Sequence, residues 1–416
     1  MAMGGSMNPG AQASKTLSLN MKLISNNDLG GFGGIGEGMG MSKTADGRRI
    51  MWLGHEGPPK NFTGVDVTDP KNMKMVVQTD LPHNKMRSNS LEVCGDYLIV
   101  AHQIRGTTIP ATPAGFDIWD ISKPETPKKI SHYDTSGPHS WGVHCVWCVD
   151  GEYVHISSGA ADFEPNNEND HQFYQIIDIR NPSKPVEAGR WWYPGQKKGE
   201  TPLPRNPNFD NGYRPHNTMC YPQRPDRAYL GYIDGGVVVL DISDKAHPKE
   251  VSRFNYSPPF NGFTHTAMPL FSRDLLMVSD ECVYDDGKDW PKLTWVFDMR
   301  NEKNLVPIST LPLPPVEVFA KRGGRYGSHN LHENYPSPLS WRSDDIVVAT
   351  FFNGGVRAYD LANPYQPKEI GYFVPGTPPM SPKGSAQIND VWIDDRGILF
   401  CGDRFTGGLY ALEMNF

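Results

Sequence analysis

Short apolar runs rich in Val, Ile, Tyr and Trp alternate along this chain with clusters of Gly, Pro, Asn and Asp. Runs of this kind, bounded by turn residues, read as β-strands. No stretch keeps the spacing of a long amphipathic helix. One phrase of apolar residues followed by an acid and a turn recurs seven times. It reads Gly64-Val-Asp-Val-Thr-Asp-Pro70, then Ile118-Trp-Asp-Ile-Ser-Lys-Pro124, and ends as Ala411-Leu-Glu-Met-Asn415. The aligned acids are Asp66, Asp120, Asp178, Asp241, Asp298, Asp360 and Glu413, spaced 53 to 63 residues apart. Such a period marks a propeller or solenoid array. Each copy reads as about four short strands, so the pattern predicts an all-β fold, a seven-bladed β-propeller.

The last copy begins near Gln387 and stops at Phe416 after about three strands. The segment Leu17-Ser-Leu-Asn-Met-Lys-Leu-Ile-Ser25 resembles the fourth strands of other copies, such as Lys368–Phe373. It is therefore expected to complete the last blade, which would cover an exposed strand edge. Residues 16–416 are read as a single propeller domain and residues 1–15, rich in Gly, Met, Ala and Ser, as a disordered N-terminus.

Composition narrows the function classes. The chain has 416 residues, 42 Gly and 37 Pro, and a net charge of −7, which argues against a nucleic-acid binder with its usual basic footprint. No apolar run approaches membrane-spanning length. The N-terminus lacks the basic and apolar regions of a secretory signal. A cytoplasmic location is expected, with six free thiols rather than disulfides. Cys145-Val-Trp-Cys148 falls on a predicted strand, not at the helix start that a redox motif needs. G-x-S-x-G and phosphate-loop motifs are missing. The glycine-rich stretch from Gly30 to Gly40 opens no helix and is read as the close-packed first strand of blade one.

Aligning the first strand of each copy gives one ring of equivalent positions: Glu37, Asn89, His144, His216, His265, His329 and Asn389. In a propeller these strands run along the central channel, so the seven residues converge near one face. A single histidine there is more often a packing residue. Four in consecutive blades would be a costly polar cluster unless something binds them, and a metal ion does so directly. His144, His216, His265 and His329 are therefore the expected metal ligands. Nitrogen donors without thiolate suit iron, copper or zinc. Closed four-ligand zinc is structural, whereas octahedral iron would keep two open positions, so Fe(2+) ranks first, with Cu or Zn as alternatives.

Ligating histidines usually donate their second ring N–H to a carboxylate or carbonyl. Glu92, Asp280, Glu281 and Glu333 are the candidate partners. Strand alternation places His332 on the face opposite His329, away from the metal. The second strands end at the histidine face and carry His55, His102 and Tyr232, which with Glu37, Asn89 and Asn389 form the candidate catalytic or substrate-binding set. Long loops from this face contain Trp141, Trp192, Tyr193, Phe209, Tyr213, Phe260, Phe263, Trp290 and Phe319, an expected apolar lid.

Val237-Val-Val-Leu-Asp-Ile-Ser243 and Phe116-Asp-Ile-Trp-Asp-Ile-Ser-Lys-Pro124 make the chain resemble the LVIVD-repeat β-propeller proteins. The four-histidine ring is similar to the iron(II) site of the carotenoid cleavage oxygenases, and the selenium-binding/methanethiol oxidase propellers are a second histidine-bearing analogue. That likeness implies an oxygenase acting on an apolar or aromatic small molecule. A metal-dependent lyase, hydratase or hydrolase is the alternative reading, and a non-catalytic interaction scaffold the third. Neither a nucleic-acid nor a membrane partner is expected; self-association into a homo-oligomer is left open.

Overall fold

The computed structural model describes residues 15–104 and 113–416. The expected disordered N-terminus at residues 1–15 therefore lies, but for its last residue, outside the described residues. The strands form seven antiparallel sheets arranged as a seven-bladed β-propeller. Blade three is representative, running Val143–Trp147, Tyr153–Ser158, Phe173–Asp178 and Val186–Trp191 from the channel outward. In blade two the inner position is split between Met86–Arg87 and Leu91–Cys94, both paired to Tyr97–Ile104. In blade six the inner segment around His329 is irregular and meets the next strand through a Leu331–Ala349 bridge.

The repeated acid has one structural task. Asp66, Asp120, Asp178, Asp241, Asp298 and Asp360 each accept, through Oδ1, the backbone N–H two residues on, at 2.7 to 3.0 Å. This side-chain turn reverses the chain between the third and fourth strands of a blade. Asp241 also accepts from the Ser243 hydroxyl at 2.6 Å. Asp241→Ala is expected to cost about 1 kcal/mol of stability and to leave the channel residues undisturbed, as measured by urea denaturation.

Ring closure differs in one respect from expectation. Met21–Asn27 pairs with Leu409–Met414 and completes blade seven. Leu17–Leu19, however, pairs with Lys368–Val374 and forms the outer strand of blade six. Asn20, with φ of 52°, marks the switch between the two sheets. The two halves of one apolar run thus close two adjacent blades, because each has an unpaired outer edge within reach.

The glycine-rich first strand of blade one is packed tightly, as read. A side chain at Gly36 would bring its Cβ within 2.4 Å of the Asn89 carbonyl, and one at Gly38 within 2.2 Å of the Leu91 nitrogen. All six cysteines are free and buried. Among the described residues no helix is long and apolar enough to cross a membrane.

Candidate metal centre

His144, His216, His265 and His329 enter the channel from blades three to six, and all four are buried. Their Nε2 atoms face one another and Glu37. His144 Nε2 lies 2.6 Å from His216 Nε2. The Glu37 carboxylate, from blade one, stands 3.6 Å from His144 and His216, 3.9 Å from His265 and 3.5 Å from His329. Glu281 approaches His216 and His329 at 3.7 Å each.

Each imidazole is held from behind. His144 Nδ1 meets Gln103 Oε1 at 3.0 Å, His216 Nδ1 meets Asn217 Oδ1 at 2.9 Å, His265 Nδ1 meets Thr266 Oγ1 at 2.7 Å, and His329 Nδ1 meets the Asn389 carbonyl at 2.7 Å. The carbonyl oxygens facing Nδ1 of His144, His216 and His329 accept a ring proton there and leave a lone pair on Nε2, and the Thr266 hydroxyl can accept the same proton from His265. Desolvation favours the neutral ring in three of them: it drives His144 well below its usual range, takes His216 down to about 3 and lowers His265. The Nε2 atoms of His265 and His329 are buried without a hydrogen-bond partner. Four such lone pairs and a carboxylate pointed at one volume form a donor set that fits a divalent cation. Two overlapping groups, Glu37 with His265, Glu281 and His329, and Glu37 with His144 and His216, have donor atoms close enough for shared coordination.

The other candidates separate by position. Glu37 is at the centre rather than beside it. Asn89 Nδ2 donates to Glu37 at 3.4 Å, and Asn389 holds His329 through its carbonyl and Arg404 through Oδ1 at 2.9 Å. Of the four expected carboxylate partners, none bonds an Nδ1 directly. Glu281 lies on the ligand side. Glu333 acts one step back, accepting from Asn217 Nδ2 at 2.7 Å. Glu92 sits in the inner channel, bonded to the Val93 N–H. Asp280 is taken by Tyr256, Leu293 and Trp295. Two side-chain amides, a hydroxyl and a backbone carbonyl do this job here.

His55, His102 and Tyr232 make their hydrogen bonds to residues other than the four histidines. Tyr232 donates to Gln196 at 2.5 Å. His102 faces Asn61 and Asp117, and with His132 and Asp117 forms a separate cluster in blade two. His55 bridges the Gly34 carbonyl at 2.6 Å and the Thr63 hydroxyl at 2.7 Å. His332 bonds Trp341 and Ile393, away from the centre as expected. Burial pushes His55 down to about 4. The unfolded chain therefore takes up a proton below about pH 6.5 that the folded chain refuses, so this contribution is intact above that pH and lost as pH falls toward 4. Between about pH 7.5 and about pH 5.5, wild type is expected to lose about 1 kcal/mol more stability than His55→Gln. Urea midpoints at the two pH values measure the difference.

Above the histidines opens a cavity of about 320 Å³. Trp141 and Phe263 line it, so two of the expected lid aromatics are in place. The others pack elsewhere: Trp290 stacks on Tyr326 at 5.2 Å, and Trp192 and Tyr193 pack against blade-three and blade-four aromatics. Four arginines unforeseen as site residues, Arg87, Arg214, Arg325 and Arg404, complete the wall. Two of them were readable by register: Arg87 and Arg214 each stand two residues before a ring position, Asn89 and His216.

The LVIVD repeat family matches residues 172–192 and 226–256, which lie in blades three and four, the first two of the histidine series. No curated protein matches the chain. Among solved structures, the β-propeller domain of Cps50 (Swd1) from Myceliophteria thermophila is similar over 91% of this chain and 97% of its own, at 14% identity and a TM-score of 0.54. A streptogramin B lyase is similar over 96% and 98%, at 10% identity and a TM-score of 0.53. At such identities the likeness is one of fold, that of a β-propeller, and the LVIVD repeat match is consistent with it.

Proposed function

We propose that this protein is a metal-dependent enzyme working on a small molecule in the channel-mouth cavity, with non-haem iron oxygenase chemistry as the leading reading. The observation that carries it is the set of four Nε2 lone pairs, each fixed by an oxygen behind its ring, converging on Glu37. His144, His216, His265 and His329 would hold the ion, with Glu37 and Glu281 beside them. A bound iron(II) would supply redox chemistry with dioxygen. The chain's own part is positional. Gln103, Asn217, Thr266 and the Asn389 carbonyl lock the imidazoles before substrate arrives, and the buried setting keeps bulk water from the donors.

A Lewis-acid lyase, hydratase or hydrolase is the second reading, favoured by the polar, arginine-rich cavity wall. Elemental analysis of protein purified without chelator or affinity metal tests the centre. About one iron per chain supports the leading reading, stoichiometric zinc the second, and metal-free protein overturns both. Turnover that survives strict anaerobiosis would overturn the oxygenase reading alone.

A further inference from the structure

The cavity above the centre is cationic in a chain whose net charge is −7. Its acids are already engaged. Glu56 accepts from Arg87 at 2.8 Å and pairs with Arg404 at 3.0 Å, and Glu281 accepts from Arg325 at 2.6 Å. Glu37 belongs to the histidines. Arg214 differs from the other three. Its Nε donates to the Asn211 carbonyl at 2.9 Å and its Nη1 to Gln172 Oε1 at 2.8 Å, both neutral acceptors. No carboxylate among the described residues lies within 4.0 Å of it. The acid acting most strongly on it, Asp234, accepts through Oδ2 from the backbone N–H groups of Asn211 and Gly212 at 2.8 and 2.7 Å, and its buried Oδ1 has no hydrogen-bond partner.

Two further donors stand beside this guanidinium without acceptors. Gln172 has no exposed surface, its Oε1 is used by Arg214, and its Nε2 is unpartnered. Asn211 Nδ2 is likewise buried and unpartnered. Both residues line the cavity with Arg214. Buried amide donors left without an acceptor are costly, more so beside a desolvated cation. Trp141 and Phe263 provide the apolar part of the same wall.

We propose that Arg214, Gln172 and Asn211 form an oxyanion subsite, so that the enzyme's substrate is a small molecule with a carboxylate or phosphate head group and an apolar body. The assignment rests on the metal-centre reading only in calling the ligand a substrate; the subsite itself stands on donors that touch no metal ligand. A planar guanidinium flanked by two amides matches either head group. The apolar body would lie against Trp141 and Phe263, which reconciles an aromatic substrate with a polar wall.

Titration calorimetry of the protein as purified, with benzoate, phenyl phosphate and neutral benzamide, tests this. One of the anions is expected to bind at least ~10-fold tighter than benzamide, and the tighter of the two identifies the head group. Arg214→Gln should abolish that preference, as should Gln172→Leu, whereas Arg253→Gln, outside this cavity, should keep it. Equal binding of anion and amide, or a preference that survives both cavity variants, overturns the proposal; survival would mean that the anion sits on the metal. Metal content measured on the same samples separates the two readings. Anion preference in metal-free protein would sustain the subsite and sink the centre, and a loaded centre without preference would do the reverse.

Discussion

His216→Ala and His265→Ala should each strip the protein of its metal while leaving the propeller folded. Each ring supplies one Nε2 to the cluster around Glu37. Losing it removes a donor and leaves Asn217 Oδ1 or Thr266 Oγ1 without its imidazole N–H. Replacing residues that merely orient a ligand typically costs 10- to 100-fold in affinity, so removing a ligand should exceed ~100-fold. Stability should suffer less, because an apolar core running across the blades holds the fold and the lost imidazole was a buried polar group with an unpartnered or crowded nitrogen. Elemental analysis with a thermal melt reads both. Full metal occupancy in either variant would show that the ring does not bind the ion.

Gly231→Ala should damage the fold and the centre together. Gly231 ends the second strand of blade four, Arg224–Gly231, at the point where blade five presses against it. A Cβ there would stand 2.1 Å from the His265 carbonyl oxygen and 2.4 Å from its carbon. Backbone on both sides leaves no flexible side chain to give way, so the two blades must part. Overpacking of this kind costs about 3 kcal/mol. The displaced segment is the one that carries His265, and Gly231 O also accepts from the His216 N–H at 2.7 Å. One methyl group should therefore lower both the urea midpoint and metal affinity. An unchanged metal titration alongside the lost stability would show that the centre tolerates backbone displacement.

Much of this was legible in the chain because propeller blades repeat their physics. The Asp phrase identifies the turn after the third strand, and six of its seven copies make the same Oδ1 to N–H bond. The histidines could be aligned because the innermost strands share one register. What was hidden depends on reach rather than period. Asn20 divides the N-terminal strand between two blades, and nothing in the alternation of Leu17 to Ser25 marks that switch. The partners behind the rings are Gln103, Asn217, Thr266 and a carbonyl, and two of those side chains come from the residue next to the ligand. A search limited to carboxylates passes over them. Arg325 and Arg404 reach the cavity from irregular segments where strand period carries no information.

The split N-terminal strand also sets a timetable for synthesis. Leu17–Leu19 and Met21–Asn27 are made long before their hydrogen-bonding partners, Lys368–Val374 and Leu409–Met414. At roughly 5–20 residues per second, the leading segment waits tens of seconds on the ribosome with both strand edges unpaired. The ring cannot shut until Leu409–Met414 has been made. Glu37, just behind the leading segment, meets the histidines of blades three to six only when the circle closes. A nascent chain can therefore build blades one after another, but the centre is assembled only once the seventh blade is in place.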